Sequence, residues 1–215
     1  MEKAVVLWTG GKDSALALFE SMKRFSIDRL VTFVPEPYHK FYAHPIELIQ
    51  AQAQCIGLRH QLFQIKKPFV DSYRNALSSL RDDGLRVVIT GDIATVAGCP
   101  NWIKECAEGI LEVYMPLWGV DRLDVLNRLR SNRFKVICSL AYKKIFRETI
   151  TGRHLNQQLI EQLSLLNRLS GLDICGENGE YHTWVISAPF FKRRLEFINL
   201  RLEEAKDFFY LEFDR

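Results

Sequence analysis

The sequence predicts an α/β fold with a doubly wound parallel sheet and a smaller C-terminal α/β domain. Three observations predict it. Short apolar, β-prone runs alternate in the first half of the chain with segments whose apolar residues recur at helical spacing. The first apolar run turns into the first helix at a pair of glycines, and polar residues also follow a later apolar run. Such alternation is typical of parallel strands joined by right-handed helical crossovers.

The second and third helices of the first half have boundary signals. Pro45 opens the second helix, and Gly57 and Gly84 end the second and third helices, since proline suits a first turn and glycine a helix end. The predicted order is a strand over 4–8, a helix from Ala15, a strand over 29–34, a helix over 45–57, a strand over 58–65, a helix over 70–83 and a strand over 86–90.

The pattern changes after Trp118. Asp121 can cap a helix in which Leu123, Leu126 and Leu129 face a core. The elements that follow are a strand over 134–140, a helix over 155–169, and strands over 195–202 and 208–213. We therefore predict two domains, over 1–118 and 119–215.

The hexapeptide Thr9-Gly10-Gly11-Lys12-Asp13-Ser14 has the composition of a phosphate-binding turn. It lies at a strand-to-helix junction, where backbone N–H groups and the positive end of the helix dipole favour anions. Glycines lack a Cβ atom and let the backbone approach a phosphate, while Lys12 adds a positive charge and Ser14 a hydroxyl donor. The alternative is an ordinary capped helix start, because Asp and Ser are common in a first turn.

Two acidic residues are candidate Mg²⁺ ligands. The hexapeptide is not a Walker P-loop, since Asp13 stands where that motif has Ser or Thr. A carboxylate beside phosphates is explained if it helps to hold Mg²⁺. Asp92 follows the strand over 86–90 and is an equal choice between a Mg²⁺ ligand and a turn residue. Because both segments follow strands of a parallel sheet, we expect Gly91 and Asp92 to converge with the hexapeptide.

A second block of polar residues occupies 175–183, Cys-Gly-Glu-Asn-Gly-Glu-Tyr-His-Thr. Asn178-Gly179 is a good hairpin turn signal, so a plain hairpin is the alternative. Glu177, Glu180 and His182 give this turn more titratable groups than a connection requires. We expect the turn to present these groups to a substrate.

These motifs resemble those of a known family. Thr9–Ser14 resembles the Ser-Gly-Gly-x-Asp-Ser signature of the PP-loop ATP pyrophosphatases, with threonine in place of the first serine. The 175–183 block resembles the Gly-Glu-x-Gly-Glu-Tyr-x-Thr signature of the diphthine–ammonia ligase family. The resemblance implies a Rossmann-like sheet of the adenine nucleotide alpha hydrolase type. It also implies an ATP-dependent amide ligase that adenylates a carboxylate, releases pyrophosphate, and transfers ammonia with loss of AMP.

The resemblance also implies roles for individual residues. The domain over 1–118 would bind ATP, and the domain over 119–215 would carry the substrate block. Residues expected to act in catalysis are Lys12, Asp13, Glu177, Glu180 and His182. Residues expected to contact ATP are Thr9, Gly10, Gly11, Lys12, Asp13, Ser14, Val31, Thr32, Phe33, Gly91 and Asp92, the 31–33 backbone serving the adenine. Asp13 and Asp92 would hold Mg²⁺, and Asn178, Gly179, Tyr181 and Thr183 would contact the substrate.

The acceptor carboxylate is open. In the archaeal and eukaryotic members of the family that the chain resembles, the acceptor is diphthine on elongation factor 2. The run over 94–100 lacks the tyrosine and basic residues associated with those enzymes. Similarity to a bacterial-type branch is seen instead at Asn101-Trp102 and Pro116-Leu117-Trp118, and bacteria do not make diphthamide. A bacterial paralogue would act on another carboxylate, such as a small metabolite or a corrinoid precursor. Two further alternatives are a PP-loop sulfur transferase on tRNA, for which Cys99 and Cys106 are the only near pair, and a non-catalytic ATP-binding sensor.

Composition fits a cytoplasmic enzyme. The chain has 215 residues, 47% hydrophobic and 26% charged, and no apolar stretch long enough to span a membrane. A net charge of +3 argues against nucleic acid as a partner, and we interpret Lys192-Arg193-Arg194 as a solvated strand entry. The five cysteines show no zinc-like or Cys-x-x-Cys spacing, and we expect most of them to be reduced core residues. A homodimer is left open.

Overall fold

Five strands form a parallel sheet in the order β3-β2-β1-β4-β5, which confirms the predicted fold class. The structure is a computed structural model that describes residues 1–37, 40–95, 101–146 and 148–214. The strands are β1 (Lys3–Leu7), β2 (Ser26–Pro35), β3 (Arg59–Ile65), β4 (Val87–Ile89) and β5 (Glu112–Tyr114). The helices of this half of the chain are α1 (Lys12–Ser21), α2 (Ile46–Ile56), α3 (Phe69–Asp82) and α4 (Trp102–Ala107).

The centre of this sheet is fully apolar. Val5 of β1 and Val88 of β4 are completely buried, and they pack with Leu77 and Leu80 of α3. Strands that are covered on both faces read as continuous apolar runs rather than as alternating ones, which is why these strands could be predicted from sequence.

The second sheet is antiparallel, in the order β7-β6-β9-β8. Its strands are β6 (Lys135–Tyr142), β7 (Tyr181–Ser187), β8 (Asn199–Glu204) and β9 (Phe208–Asp214). Two helices accompany it, α5 (Arg122–Ser131) and α6 (Gln157–Ser170). Trp184 of β7 is fully buried in the core of this part, among Leu48, Ile137 and Leu211.

Several details differ from the sequence predictions. Leu123 is 42% exposed, whereas Leu126 and Leu129 are buried as expected. Each three-residue step on an α-helix falls about 60° short of a full turn, so Leu123 and Leu129 lie about 120° apart and Leu123 falls outside the buried stripe. The strand expected over 195–202 begins only at Asn199, and the short elements α4 and β5 were not predicted. Asp121 caps α5 as predicted, because its carboxylate accepts the Leu123 and Asp124 amides.

The chain forms two compact units that are not continuous in sequence. The first unit comprises Met1–Thr9, Asp13–Lys40 and Gly57–Gly119, and the second comprises Gly10–Lys12, Phe41–Ile56 and Val120–Arg215. The domains predicted from the sequence, over 1–118 and 119–215, are continuous ranges, and they stay a prediction. Within the described ranges, helices are too short or too polar to cross a membrane.

Candidate functional site

In the first unit, the segments after β1 and β4 converge. From β1 the chain adds β2 and β3 on one side of the sheet and then β4 and β5 on the other side. The direction of winding therefore reverses between the neighbouring strands β1 and β4. Ligands of open α/β sheets bind at such a switch point, beyond the carboxyl ends of the strands. A Cβ atom at Gly91 would lie 2.6 Å from the backbone carbon of Asp13 and from the amide nitrogen of Ser14. The predicted convergence is therefore confirmed for Gly91 with Asp13 and Ser14, and glycine at position 91 is required by this close approach.

Hydroxyl and carboxylate groups of the first unit surround this junction. The hydroxyls of Thr9 and Ser14 lie 3.2 Å apart, with Ser14 buried at the start of α1 and Thr9 exposed. Half-buried Asp92 accepts a hydrogen bond from the hydroxyl of Thr90. Among the described residues, groups of three or more metal-ligating side chains were not found. The two carboxylates predicted for Mg²⁺, those of Asp13 and Asp92, stay predictions.

β2 extends past the end of β1. The two strands are paired as far as Leu7 and Val31, whereas Thr32 and Phe33 continue along β3. The hydroxyl of Thr32 donates to the carbonyl of Trp8 and lies 2.9 Å from Nε2 of His60. A strand edge of this kind is what backbone recognition of adenine would need, and that role of 31–33 remains a prediction.

In the second unit, Lys12 is almost fully buried, with 3% of its surface exposed. A buried ammonium group is costly unless polar partners surround it. Its Nζ donates a hydrogen bond to the carbonyl of Cys175 and lies 5.7 Å from the centre of the Tyr181 ring, within range of a cation–π interaction. The predicted phosphate-binding lysine is therefore attached to the 175–183 block, although the two are far apart in sequence.

Residues of β7 and α2 hold the backbone of Gly10–Lys12. The Thr183 hydroxyl accepts the Lys12 amide at 3.1 Å, the role that an N-cap residue usually has. The Val185 amide donates to the Gly10 carbonyl at 3.0 Å. Gln52 is fully buried, and its Nε2 donates to the carbonyls of Gly10 and Val185 at 2.9 and 2.8 Å. Three residues from two elements of this unit, β7 and α2, therefore fix the loop.

Gln52 was missed by the sequence analysis. It is one of three glutamines in α2, and only its burial distinguishes it from Gln50 and Gln54. It also explains Gly10, because a Cβ atom at that position would lie 2.2 Å from the Gln52 Oε1 and the backbone there has φ of +76°. Only glycine combines that conformation with that close approach.

Glu180 organises the loop before β7. Its side chain is buried, and Oε1 accepts the Asp173 amide at 2.9 Å while Oε2 accepts the Asn178 amide at 3.1 Å. The Asn178 side-chain amide donates to it as well, at 3.3 Å. The Tyr181 hydroxyl donates to the carbonyl of Ile174 at 2.7 Å. Glu180 and Tyr181 thus fix the same loop whose Cys175 carbonyl accepts from Lys12.

His182 is neutral at physiological pH. Burial, with a smaller contribution from the positive charge of Lys12, lowers the pKa of His182 to about 4. Its ring packs edge-on against that of His44, with 5.3 Å between the ring centres. Glu177 is half-buried in the same loop, while Asn178 is exposed and Gly179 has φ of +82° at the turn. The loop therefore presents its 177–179 tip, while its other members are held inside the unit.

Four cysteines lie inside the protein as free thiols, as expected: Cys55, Cys106, Cys138 and Cys175. Burial raises the pKa of Cys106, and it raises the pKa of Cys138 to about 12. Thiols of this kind are inert, because the thiolate is the reactive form. Cys99, the other member of the near pair, lies outside the described residues.

Two family models match nearly the whole chain. The model of the diphthamide synthase N-terminal domain matches residues 2–108, and that of the diphthamide synthase C-terminal domain matches residues 121–215. The chain belongs to the diphthamide synthase family. The resemblance inferred from the two motifs is therefore confirmed at the level of the family.

Two curated proteins are similar to part of the chain. The diphthine--ammonia ligase of Mus musculus is 30% identical over 86 residues, which are 37% of this chain and 30% of that protein. The enzyme of the same name from Danio rerio is 31% identical over 93 residues, 42% of this chain and 35% of that protein. The matched regions cover about a third of the length of these relatives.

Two solved structures have a similar chain trace. A predicted subunit of tRNA methyltransferase from Methanocaldococcus jannaschii has a TM-score of 0.45 and 18% identity, over 63% of this chain and 77% of that one. A 4-thiouridine synthetase, solved as an RNA complex with bound ATP, has a TM-score of 0.43 and 16% identity, over 86% of this chain and 55% of that one.

Proposed function

We propose that this diphthamide synthase family member is an ATP-dependent ligase that adenylates a carboxylate and transfers ammonia to it, releasing pyrophosphate and AMP. The observation that carries the proposal is the attachment of Lys12 to the 175–183 block, through its amide to Thr183 and its ammonium to the Cys175 carbonyl. Lys12 thereby belongs to the first motif and contacts the second, as expected if phosphate binding and acyl transfer occur together.

The ATP triphosphate would bind at the opening loop. Gly10 and Gly11 let the backbone approach the phosphates, and Lys12 and the α1 N-terminus supply positive charge, with Thr9 and Ser14 as hydroxyl donors. Adenine would lie along the backbone of β2 near Thr32, where this strand extends past β1. Positive charge at this place stabilises the pyrophosphate as it leaves, since negative charge grows on it in the transition state.

Mg²⁺ is part of the proposal, and the residues of the first unit fit it. Asp13 and Asp92 supply hard oxygen ligands, and the close approach of Gly91 to Asp13 brings the segments that carry them together. Two carboxylates suffice, because Mg²⁺ in nucleotide sites takes its other ligands from phosphates and water. When bound, the ion would neutralise phosphate charge.

The reaction has two steps. An oxygen of the substrate carboxylate attacks the α-phosphorus, and the bond to pyrophosphate breaks. Ammonia then attacks the acyl carbon, the bond to AMP breaks, and the nitrogen gives up a proton to a base. Neutral His182 with a pKa of about 4 is a weak base, and the Glu180 carboxylate accepts N–H groups of its own loop. Glu177 is half-buried at the loop tip, where its charge acts on Arg122, and it is our candidate base among the three predicted residues.

The predicted substrate contacts divide in the same way. Tyr181 and Thr183 have partners inside the second unit, the Ile174 carbonyl and the Lys12 amide, so we assign them to positioning Lys12. Asn178 and Gly179 lie at the tip of the loop and are the candidates for contact with the acceptor. The acceptor itself is diphthine on elongation factor 2 or, in a bacterial-type branch, another carboxylate.

The burial of Cys106 speaks against the sulfur transferase alternative, because that chemistry needs a reactive thiolate. The sensor alternative differs from the ligase by the absence of turnover.

One incubation separates these alternatives. It contains the protein, ATP, Mg²⁺, ammonia and a candidate acceptor, such as elongation factor 2 carrying diphthine. We expect AMP and pyrophosphate in equal amounts, and only when an acceptor is present. Release of ADP, or turnover that ignores the acceptor, would contradict the ligase.

Two variants test the assigned residues. Lys12→Met should abolish pyrophosphate release, whereas Lys23→Met, an exposed lysine just beyond α1, should retain it. Glu177→Gln should retain pyrophosphate release in the first turnover but slow amide formation. Equal loss of both products in Glu177→Gln would move that residue from the second step to nucleotide binding.

A further inference from the structure

A cleft of about 640 Å³ lies in the second unit, and its lining is unusually basic. Ten residues line it, of which four are Arg or Lys and none is Asp or Glu. The cations are Arg130 and Arg133 from the end of α5, Lys135 at the start of β6, and Arg194 from the segment after β7, with His154 beside them. The charge is concentrated here by the fold, since the chain as a whole carries only +3.

These four cations have no ion pair and no side-chain hydrogen bond within the described part of the chain. Other arginines of the same unit do have such partners: Arg122 pairs with Asp173, Arg128 with Asp124, and Arg201 with Asp214. Like charges that share a cleft repel one another, and an anion bound there would relieve that repulsion. The arrangement therefore favours a negatively charged ligand.

Arg133 adds a second, independent observation. Its φ is +61°, and among the described residues it is the one residue other than glycine with a left-handed backbone conformation. The Arg133 amide donates to the Arg130 carbonyl and the Phe134 amide to the Leu129 carbonyl, the Schellman pattern in which glycine is usual. An arginine there destabilises the fold, and such strained residues cluster at ligand sites.

The side chains also indicate the kind of anion. Three of the four cations are arginines, whose planar guanidinium groups bind phosphate oxygens in pairs. All four are exposed, as in a surface that follows an extended polyanion rather than one that encloses an uncharged ligand. Lys192-Arg193-Arg194, expected to be a solvated strand entry, thus contributes Arg194 to a shared cleft.

We propose that this cleft binds a ligand carrying several phosphate groups. Two sources have this chemistry, a free polyphosphate and the backbone of an RNA. The site is distinct in sequence and lining from the loop proposed for ATP, and it does not depend on the ligase assignment. Binding to RNA would replace our expectation, drawn from net charge alone, that nucleic acid is not a partner.

The test compares two double variants that remove the same charge. Arg133→Asn with Lys135→Gln changes the cleft, and Lys144→Gln with Lys206→Gln changes exposed lysines elsewhere in the unit. Fluorescence anisotropy would follow a single-stranded RNA of roughly 16 nucleotides, and calorimetry would follow inorganic tripolyphosphate. We expect the cleft variant to bind at least one of these probes roughly tenfold more weakly, with the control within about twofold of the wild type. For RNA, the slope of log K against log salt should fall by about 1.4.

Two further measurements separate binding from folding and from the ATP site. Arg133→Asn alone should raise the melting temperature, by roughly 2 °C, because asparagine tolerates the left-handed conformation, while it weakens binding. Lys12→Met should leave RNA binding unchanged. Tripolyphosphate also resembles the triphosphate of ATP, so for this probe the two double variants are compared in a Lys12→Met background, which removes the lysine of the loop proposed for ATP. The proposal is overturned if neither probe binds, if both double variants lose affinity equally, or if the loss follows Lys12 instead of the cleft. The probe that responds identifies the source of the phosphates.

Discussion

His182 makes a quantitative prediction about stability. Its pKa is lowered from 6.5 to about 4, chiefly by burial and secondarily by the charge of Lys12. Because the folded pKa lies below the unfolded one, the unfolded chain binds the proton more readily. The stability that the neutral ring contributes is present above pH 6.5 and is lost as the pH falls towards 4. Linkage between these two pKa values makes unfolding about 2 kcal/mol easier near pH 5 than near pH 7.5.

Urea denaturation at these two pH values measures the effect. Trp184 is fully buried in β7, two residues from His182, so the Trp184 contribution to the fluorescence of the four tryptophans reports on this unit. We expect His182→Gln to lose about 2 kcal/mol less than the wild type between the two pH values, because glutamine does not titrate. His60, whose pKa is also lowered by burial, is present in both proteins and cancels. His154→Gln, which removes an exposed histidine, is the matched control.

The reasoning fails if His182→Gln shows the same loss of stability between the two pH values as the wild type. It also fails if His154→Gln flattens the dependence as much as His182→Gln does. Either result would mean that the unfolding of this unit is not linked to the protonation of the buried ring. A direct titration of the His182 ring by NMR should give a pKa near 4, which would test the lowered pKa without unfolding the protein.

Three substitutions test other contacts, each by urea denaturation. Gln52→Met should cost roughly 2 kcal/mol, because it removes the donor to two buried carbonyls, whereas Gln50→Met on the exposed side of α2 should cost little; equal losses would refute the assignment. Gly91→Ala should cost roughly 3 kcal/mol, since its Cβ would meet backbone 2.6 Å away, and near-wild-type stability would disprove that contact. Glu180→Gln should cost roughly 2 kcal/mol, and no more loss than exposed Glu196→Gln would show that the carboxylate does not hold its loop.

Local patterns carried most of the fold. The buried strands β1 and β4 were found because residues covered on both faces form apolar runs. Pro45, Asp121 and Gly84 marked helix ends because capping depends on neighbouring residues. The elements that were missed, α4 and β5, are six and three residues long, too short for a period to develop.

The roles within the 175–183 block could not be read from the same patterns. Glu177 and Glu180 are equivalent in sequence, yet Glu180 accepts amides of its own loop while the 177–179 tip is presented outward. Gln52 looks like its neighbours in α2 until its burial is known. Backbone geometry decides which carboxylate accepts the loop amides, and composition does not encode that geometry directly.

The sequence by itself determined the alternation of strands and helices, the two motifs and the family, because each rests on residues that are close along the chain. The tertiary structure alone decided what those residues touch. Lys12 meets Thr183, which lies 171 positions away, and four cations from separate segments share one cleft. Contacts of that kind depend on how the chain returns on itself, so they cannot be read from local periodicity, and the chemistry of the protein depends on them.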